Sequence, residues 1–361
     1  MKHLCRRFLL LLLVILSMTG CGYAGPEKAV ERELRLIRDL DEETIKAFVS
    51  YEDIRISGSN GADIGPETTD AVKLFFKDFK YRIRSSSLGE TGETAVVELS
   101  ITNLDAKQLA KDLCKGMIRS SFDYGTPLEQ QQGLASSFAL MKKYLEDNTY
   151  ERKTTEATVH LVKKEEEWII QESAQLEDEL TGGLVSCLQN PYLLTPEEVL
   201  DTTLLPFRDF SAAQWQNYLN IQDIFSTGSD QSDELDLLIL TRLEELFDYE
   251  IVSVTQDGNN AAAQLRITSL DLPAIMEEYR SELLDYAQTT ESIRSSDEEL
   301  TQKTTDILLS VLKTQAASAV HTLYIPLVNN GHTWEVILDD AFTDALFGGL
   351  NSALDILREH N

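Results

Sequence analysis

Histidine, tryptophan and cysteine are scarce in this chain: five, three and four residues among 361. That scarcity excludes a good deal of chemistry. No H-E-x-x-H or H-x-x-x-H pair exists, and the cysteines (Cys5, Cys21, Cys114, Cys187) lack the C-x-x-C spacing of a structural zinc site. Walker A, Rossmann glycine and G-x-S-x-G patterns are missing as well. Basic residues number 32 against 61 acidic ones, which argues against nucleic acid and against adhesion to anionic headgroups. Beyond the N-terminal segment, no apolar run approaches the roughly 20 residues that cross a bilayer. No cofactor, no metal and no catalytic residue is expected.

What is present begins at the N-terminus. Lys2, Arg6 and Arg7 precede residues 8–18, a stretch apolar but for Ser17 and of the length of a signal-peptide core. Met18-Thr19-Gly20-Cys21 resembles the lipobox of bacterial lipoproteins, with Met where Leu is more usual. The resemblance implies that the Cys21 thiol takes a diacylglyceryl group and becomes the first residue after cleavage. An ordinary secretory signal with an incidental cysteine is the competing reading. Two acyl chains hold a protein at a membrane where one does not. Residues 1–20 are accordingly expected to be a signal peptide and 21–25 a lipidated tether, with the rest extracytoplasmic and membrane-held. Cys114 and Cys187 then remain; the compartment permits a disulfide between them, and isolated buried thiols are equally consistent.

The remainder says nearly everything twice. "PEKAV" at Pro26 matches "PEEVL" at Pro196, and "RDL" at Arg38 matches "RDF" at Arg208, both 170 residues apart. "FKYRI" matches "FDYEI" at 168. From "ITNLD" (101–105) and "ITSLD" (267–271) onward the separation is 166, pairing Trp168 with Trp334 and Gly182-Gly183 with Gly348-Gly349. The four lost residues fall in loops, as a duplicated fold requires. Two domains follow, 26–190 and 191–361.

Within a copy, Ala29, Val30, Leu34, Ile37 and Leu40 recur at helical spacing; short helices are expected at 43–49 and 68–79. In the second copy Trp215, Tyr218 and Leu219 take the places of Ile45, Phe48 and Val49, so Trp215 reads as core filler. Tyr81 and Ile83 mark a strand, and Ala95, Val97, Leu99 and Ile101 its antiparallel partner. ITxLD then reads as a strand-to-helix corner, with Asp105 and Asp271 as helix caps. Gln108 is the expected capping-box partner of Asp105, and Pro273 sits in the first turn after Asp271. Helices at 105–121 and 131–147 follow, matched by 271–288 and 297–313. A second hairpin comes next, in which Pro326 suggests an edge position. A closing helix contains the glycine pairs, at about 1 kcal/mol each relative to Ala, offset by close approach to the sheet or a kink. Trp168 and Trp334 fill the core or line a pocket on the sheet. The acidic run 228–236 lacks EF-hand spacing and reads as a loop, and His332 reads as a turn residue.

The order is helices, hairpin, helical pair, hairpin, helix, twice over: an α+β fold in two tandem copies, each a helix-covered antiparallel curved sheet. ITNLD, ITSLD and "YIPLVNNGHTW" resemble the tandem nuclear transport factor two-like (cystatin-like cone) lipoproteins of Firmicutes, many of unknown function. The resemblance spans essentially the whole mature chain. It implies a sheet with a concave face and carries over no catalytic residue. The functional expectation is a lipid-anchored binding or scaffolding protein without enzymatic activity. A small-molecule or peptide receptor using the concave faces is the alternative, and an envelope enzyme comes last. Charge adds a partner class. Residues 21–190 hold 21 basic and 31 acidic residues, net −10; residues 191–361 hold 8 and 30, net −22. Solubility of a crowded surface protein is the leading reading of that acidity; besides the membrane reached through Cys21, a cationic peptide or envelope protein that meets the second copy is the alternative.

Overall fold

Proline where the first N–H has no acceptor, and apolar residues at helical spacing, make the opening helix. α1 covers Pro26–Arg38, with Gly25 extended ahead of it, Glu27 in its first turn and Arg35 and Arg38 in its last. That charge order suits the helix dipole. The computed structural model describes residues 25–40, 66–121, 134–219, 232–315 and 317–358. Cys21, the helix expected at 43–49 and His360 lie outside the described residues.

The first unit continues with α2 (Pro66–Phe75), β1 (Lys80–Leu88), β2 (Thr94–Leu104), α3 (Ala106–Ser120), α4 (Leu134–Asp147), β3 (Arg152–Lys164), β4 (Glu167–Ile170), α5 (Ala174–Leu180) and α6 (Leu184–Gln189). The second holds α7 (Pro196–Arg208), α8 (Ala212–Leu219), α9 (Ser232–Leu246), β5 (Asp248–Asp257), β6 (Asn260–Leu270), α10 (Leu272–Ala287), α11 (Asp297–Thr314), β7 (Ser318–Asn329), β8 (Trp334–Val336), α12 (Asp340–Leu346) and α13 (Leu350–Arg358). Apart from two short segments, the chain divides between Leu193 and Leu194.

Each unit has one four-stranded antiparallel sheet, in the orders β1-β2-β3-β4 and β5-β6-β7-β8. The two sheets share a register. Leu99 faces Ala157 as Leu265 faces Leu323, and Lys163 faces Trp168 as Asn329 faces Trp334, all 166 residues apart. β1 and β5 also carry bulges at matching places, Ile83/Ser85 and Ile251/Ser253. Bulges persist within families, so one repeated at the same place is an inherited feature. Val97, Leu99, Ile101, Val159 and Leu161 form the buried side of the first sheet, and Ala263, Leu265, Ile267, Ile325 and Leu327 that of the second. Each fully buried Leu, Ile or Val contributes about 1.5–3 kcal/mol. The second core adds a ring cluster: Trp215 lies 5.3 Å from each of Phe207, Phe210 and Phe247 and is fully buried.

Four expectations are corrected. The closing helix is two helices, α5/α6 and α12/α13, because Gly182, Gly183, Gly348 and Gly349 all have left-handed backbones (φ 62°, 85°, 64° and 97°). The kinked-helix option therefore gives way to a break. α2 ends at Phe75, and the Phe79 N–H bonds the Phe76 carbonyl at 2.9 Å to turn the chain into β1. Pro326 lies in β7, an interior strand, at the point where its neighbour β8 has ended. Its missing N–H faces that end, so the local requirement of proline is met without an edge strand. Finally, residues 232–236 of the acidic run begin α9 and are not a loop; the first part of that run lies outside the described residues.

Candidate functional site

The glycine pairs explain the repeated motif. A Cβ on Gly182 would land on the Leu104 carbonyl oxygen, and one on Gly348 on that of Leu270. Helix ends thus touch the backbone of the ITxLD corner directly, as the close-approach reading anticipates. The variable residue of the motif fixes this contact: Asn103 Nδ2 donates to the Leu180 carbonyl at 2.5 Å, and Ser269 Oγ donates to the Leu346 carbonyl. Both side chains are buried. Asp271 Oδ1 accepts from the Ala274 N–H at 3.1 Å. Asp105 Oδ1 accepts from the Lys107 N–H at 3.4 Å and lies 3.6 Å from Lys153 Nζ. The expected capping box is absent from this corner, since Gln108 Nε2 reaches forward to Asp112 at 2.9 Å. The corner holds the fold together.

The tryptophans share a register but not an environment. Trp334 is 3% exposed, whereas Trp168 is half-buried beside Lys163. Cys114 is buried and Cys187 half-buried, with no disulfide between them; burial, then Asp178, pushes the Cys187 thiol up. His160 points to solvent. His321 lies on the other side of its sheet, its Nε2 buried and without a hydrogen bond. The Arg-Asp pairs at the helix ends also diverge. Arg38 bonds Asp39 at 2.6 Å, while Arg208 bonds Asp248 at 2.6 Å and stacks 4.2 Å over the Tyr249 ring. The Tyr249 hydroxyl donates to Asp201 at 2.8 Å; burial, then Asp201, holds its proton more tightly.

Two buried carboxylates escaped the sequence reading because each sits in an apolar helix stripe. Glu33 accepts from Arg32 Nε at 3.0 Å through one oxygen, and its Oε2 is buried with no donor. Burial raises its pKa, against a lowering by Arg32. Glu177 is likewise raised by burial, then by Glu172. Raised carboxylates with a neighbouring arginine also occur at acid–base sites. Here the unmet oxygen of Glu33 is sealed from solvent, and Arg32 approaches from the exposed side. The second copy places Thr203 and Thr343 at these positions, and Thr203 Oγ1 bonds back to the Val199 carbonyl at 2.8 Å. Glu33→Thr is therefore expected to stabilise the protein near neutral pH by about 1–3 kcal/mol, the cost of an unmet buried polar group. The sign follows from linkage. A carboxyl whose folded pKa lies above the unfolded value of about 4.5 contributes stability below that value, lost as pH rises through the folded pKa. The advantage of the variant should shrink as pH falls, which urea denaturation at about pH 7 and pH 5 measures; a pH-independent gain would assign it to packing instead.

The sheet side away from the core faces solvent in both units, and there the copies differ in kind. In the first unit it is polar and internally satisfied: Ser85 Oγ donates to Glu98 at 2.8 Å, Thr102 and Thr154 hydroxyls lie 2.7 Å apart, and Arg84 lies 3.8 Å from Glu156. At matching positions the second unit replaces Arg84, Thr154, Thr158, His160 and Gln171 by Val252, Val320, Tyr324, Pro326 and Ile337. Val320, Tyr324 and Ile337 are 58%, 66% and 42% exposed. Successive rows across this face read Asp257–Asn260–Val328–Glu335, Thr255–Ala262–Pro326, and Ser253–Gln264–Tyr324. The Ile337 N–H bonds the Pro326 carbonyl at 3.0 Å and extends the second row. Between the Tyr324 and Val320 rows lies Glu250–Arg266–Thr322, in which Arg266 Nη1 is 2.9 Å from Glu250; the exposed apolar side chains on this open side contribute nothing to the core. This face is the candidate site. The alternation of β7 displays it, but sequence alone does not say which side the helices cover.

Among the described residues no three His, Cys, Asp or Glu side chains converge as metal ligands do, and no helix is long and apolar enough to cross a membrane. No curated protein matches the chain. It is similar to a crystal structure from Bacillus subtilis described as "a putative lipoprotein (ycdA)", at 11% identity and a TM-score of 0.25, over 75% of this chain and 96% of that one. Residues 213–350, from α8 to the second glycine pair, match the model of a domain of unknown function, DUF5105.

Proposed function

We propose that the protein is a lipid-anchored, extracytoplasmic binding or scaffolding protein without enzymatic activity, and that its second copy does the binding. The observation that carries the reading is the change of Arg84, Thr154, Thr158, His160 and Gln171 on the solvent-facing side of the first sheet to Val252, Val320, Tyr324, Pro326 and Ile337 on that of the second. Anchoring rests on the lipobox-like Met18–Cys21. A cationic polypeptide is the partner class, because the same copy carries 8 basic and 30 acidic residues and exposes the carboxylates of Asp257 and Glu335 around the patch. The tandem nuclear transport factor two-like assignment belongs to this proposal too. The runner-up, a small-molecule receptor, uses the same face and differs in what binds.

In-cell crosslinking tests the reading. A photo-crosslinking amino acid replaces Tyr324 in one strain and Thr158, its first-copy counterpart, in another. Adducts to a basic protein segment are expected from position 324 and not from 158. Equal adducts at both positions, or none, would leave the acidity as a solubility device, and a small-molecule adduct would favour the receptor reading.

A further inference from the structure

β7 runs from Ser318 to Asn329, but β8 pairs with only Leu327, Val328 and Asn329. The bond from the Ile337 N–H to the Pro326 carbonyl shows which backbone groups point away from β6: those of even-numbered residues. Val320, Thr322 and Tyr324 therefore aim their N–H and C=O groups at a side where, among the described residues, no strand pairs. The first sheet has the same half-open side, since β4 pairs with residues 161–164 and Gln171 N–H with the His160 carbonyl. There the edge is guarded: Glu156 stands at its centre within reach of Arg84, and charge on an edge strand resists the addition of another. The second copy has Thr322 in place of Glu156 and Val252 in place of Arg84, leaving an edge of Val320, Thr322 and Tyr324 with no charge on it.

We propose that this edge binds its partner by strand addition. An extended polypeptide segment, with apolar residues alternating with lysine or arginine, lies along residues 318–325 of β7 and continues the line of β8. Its backbone completes the ladder, and its apolar side chains meet Tyr324 and Val320 on the solvent-facing side. Two arguments select that occupant over a second copy of this chain. The unit is strongly acidic, so a second copy brings the same excess of negative charge to the contact, whereas a basic segment is attracted. Tyr324 also offers a large rigid surface with a polar tip, suited to a peptide lying across it. The inference rests on the reading of the second copy as the binding half and adds the mode of binding.

The test uses the full mature chain carrying Cys21→Ala, with fluorescence anisotropy of a short synthetic peptide of alternating valine and lysine as readout. Binding is expected, and Thr322→Pro should weaken it about tenfold by removing one outward donor and adding a ring to the edge. The β6–β7 bonds are untouched by that change, and Pro326, of the same orientation in the same strand, shows that β7 accommodates it. Tyr324→Thr, the first-copy residue, should weaken binding with an unchanged melting temperature, which keeps the test valid if the proline variant unfolds. A valine–glutamate peptide should not bind. Unaltered affinity in Thr322→Pro would overturn strand addition while leaving position-324 crosslinks, and so the binding reading, intact. Absence of lysine-peptide binding would overturn the proposal as well. A dimer in sedimentation that Thr322→Pro dissolves would assign the edge to a second copy instead.

Discussion

Gly348→Ala is expected to unfold the second unit, and Gly182→Ala the first. Both glycines have a left-handed backbone, which costs an alanine about 1–2 kcal/mol. The larger effect is steric. The new methyl would fall on the Leu270 or Leu104 carbonyl oxygen, and neither can retreat. Leu270 is the last residue of β6, paired with Ser318, and its neighbour Ser269 is bonded to the Leu346 carbonyl on the far side of the same turn. Moving α12 away breaks that bond and opens the packing of Phe342 and Leu346, both buried. A loss of at least about 4 kcal/mol is expected, against a total stability of roughly 5–15 kcal/mol for a domain. Gly258→Ala is the control: its φ is 57°, but nothing lies within 4 Å of the added Cβ, so only the backbone cost applies. Urea denaturation followed by circular dichroism separates the two. If Gly348→Ala is no worse than Gly258→Ala, the corner relaxes and the close approach does not hold the helices.

That turn also shows how far the sequence could be read. The repeat, the strand positions and the corner at ITxLD were legible because each depends on periodicity and on local rules of capping. The glycine pair is recognisable in the sequence as costly inside a helix, and close approach to the sheet offsets that cost. The break between two short helices is not recognisable there, since an apolar stripe continues through Leu180, Leu184 and Leu188 as if one helix ran on. The role of Asn103 and Ser269 was hidden for a different reason. Their acceptors, Leu180 and Leu346, lie 77 residues further along the chain, and no local rule connects them. Gln108 does not complete a capping box because Asp112, one turn later, is a charged acceptor for its amide.

The candidate site was legible in part. Net charge singled out the second copy, and the alternation Val320, Thr322, Tyr324 was visible. What the sequence does not show is that helices cover only the other side of that sheet, or that β8 stops three residues into its pairing with β7. Pro326 hinted at an edge, and the hint was sound locally: the strand is interior, yet its neighbour ends there. The duplication then acts as an internal control. Both copies must solve the same packing problem, so positions where they differ on the open side, such as Thr158 and Tyr324, are free of folding constraints. Differences on the buried side, such as Glu33 and Thr203, are two solutions to one constraint.

Cys21→Ala is expected to release the protein from the membrane. Each buried methylene contributes about 0.8 kcal/mol, a single acyl chain holds only marginally, and two hold stably, so on the proposed lipidation the loss of the Cys21 thiol is close to all-or-none. On the proposed anchoring the lipid also sets where the protein works. Residues 21–26 reach at most about 18 Å when extended, at about 3.6 Å per residue, which keeps the first copy near the headgroups. Tethering raises the effective concentration of the second copy for a partner at the same surface. Crosslinks from position 324 should accordingly fall when Cys21→Ala is introduced, even though the solvent-facing side of the second sheet is unchanged. Detergent phase partitioning and the mass of the N-terminal peptide provide the check. The wild-type protein should enter the detergent phase with a lipid-modified Cys21 as its first residue. The variant should lack the lipid mass and keep residues 1–20 or be cleaved elsewhere. Equal partitioning of the variant, with no lipid on the wild-type peptide, would mean that residues 8–18 alone hold the chain and that Cys21 is incidental.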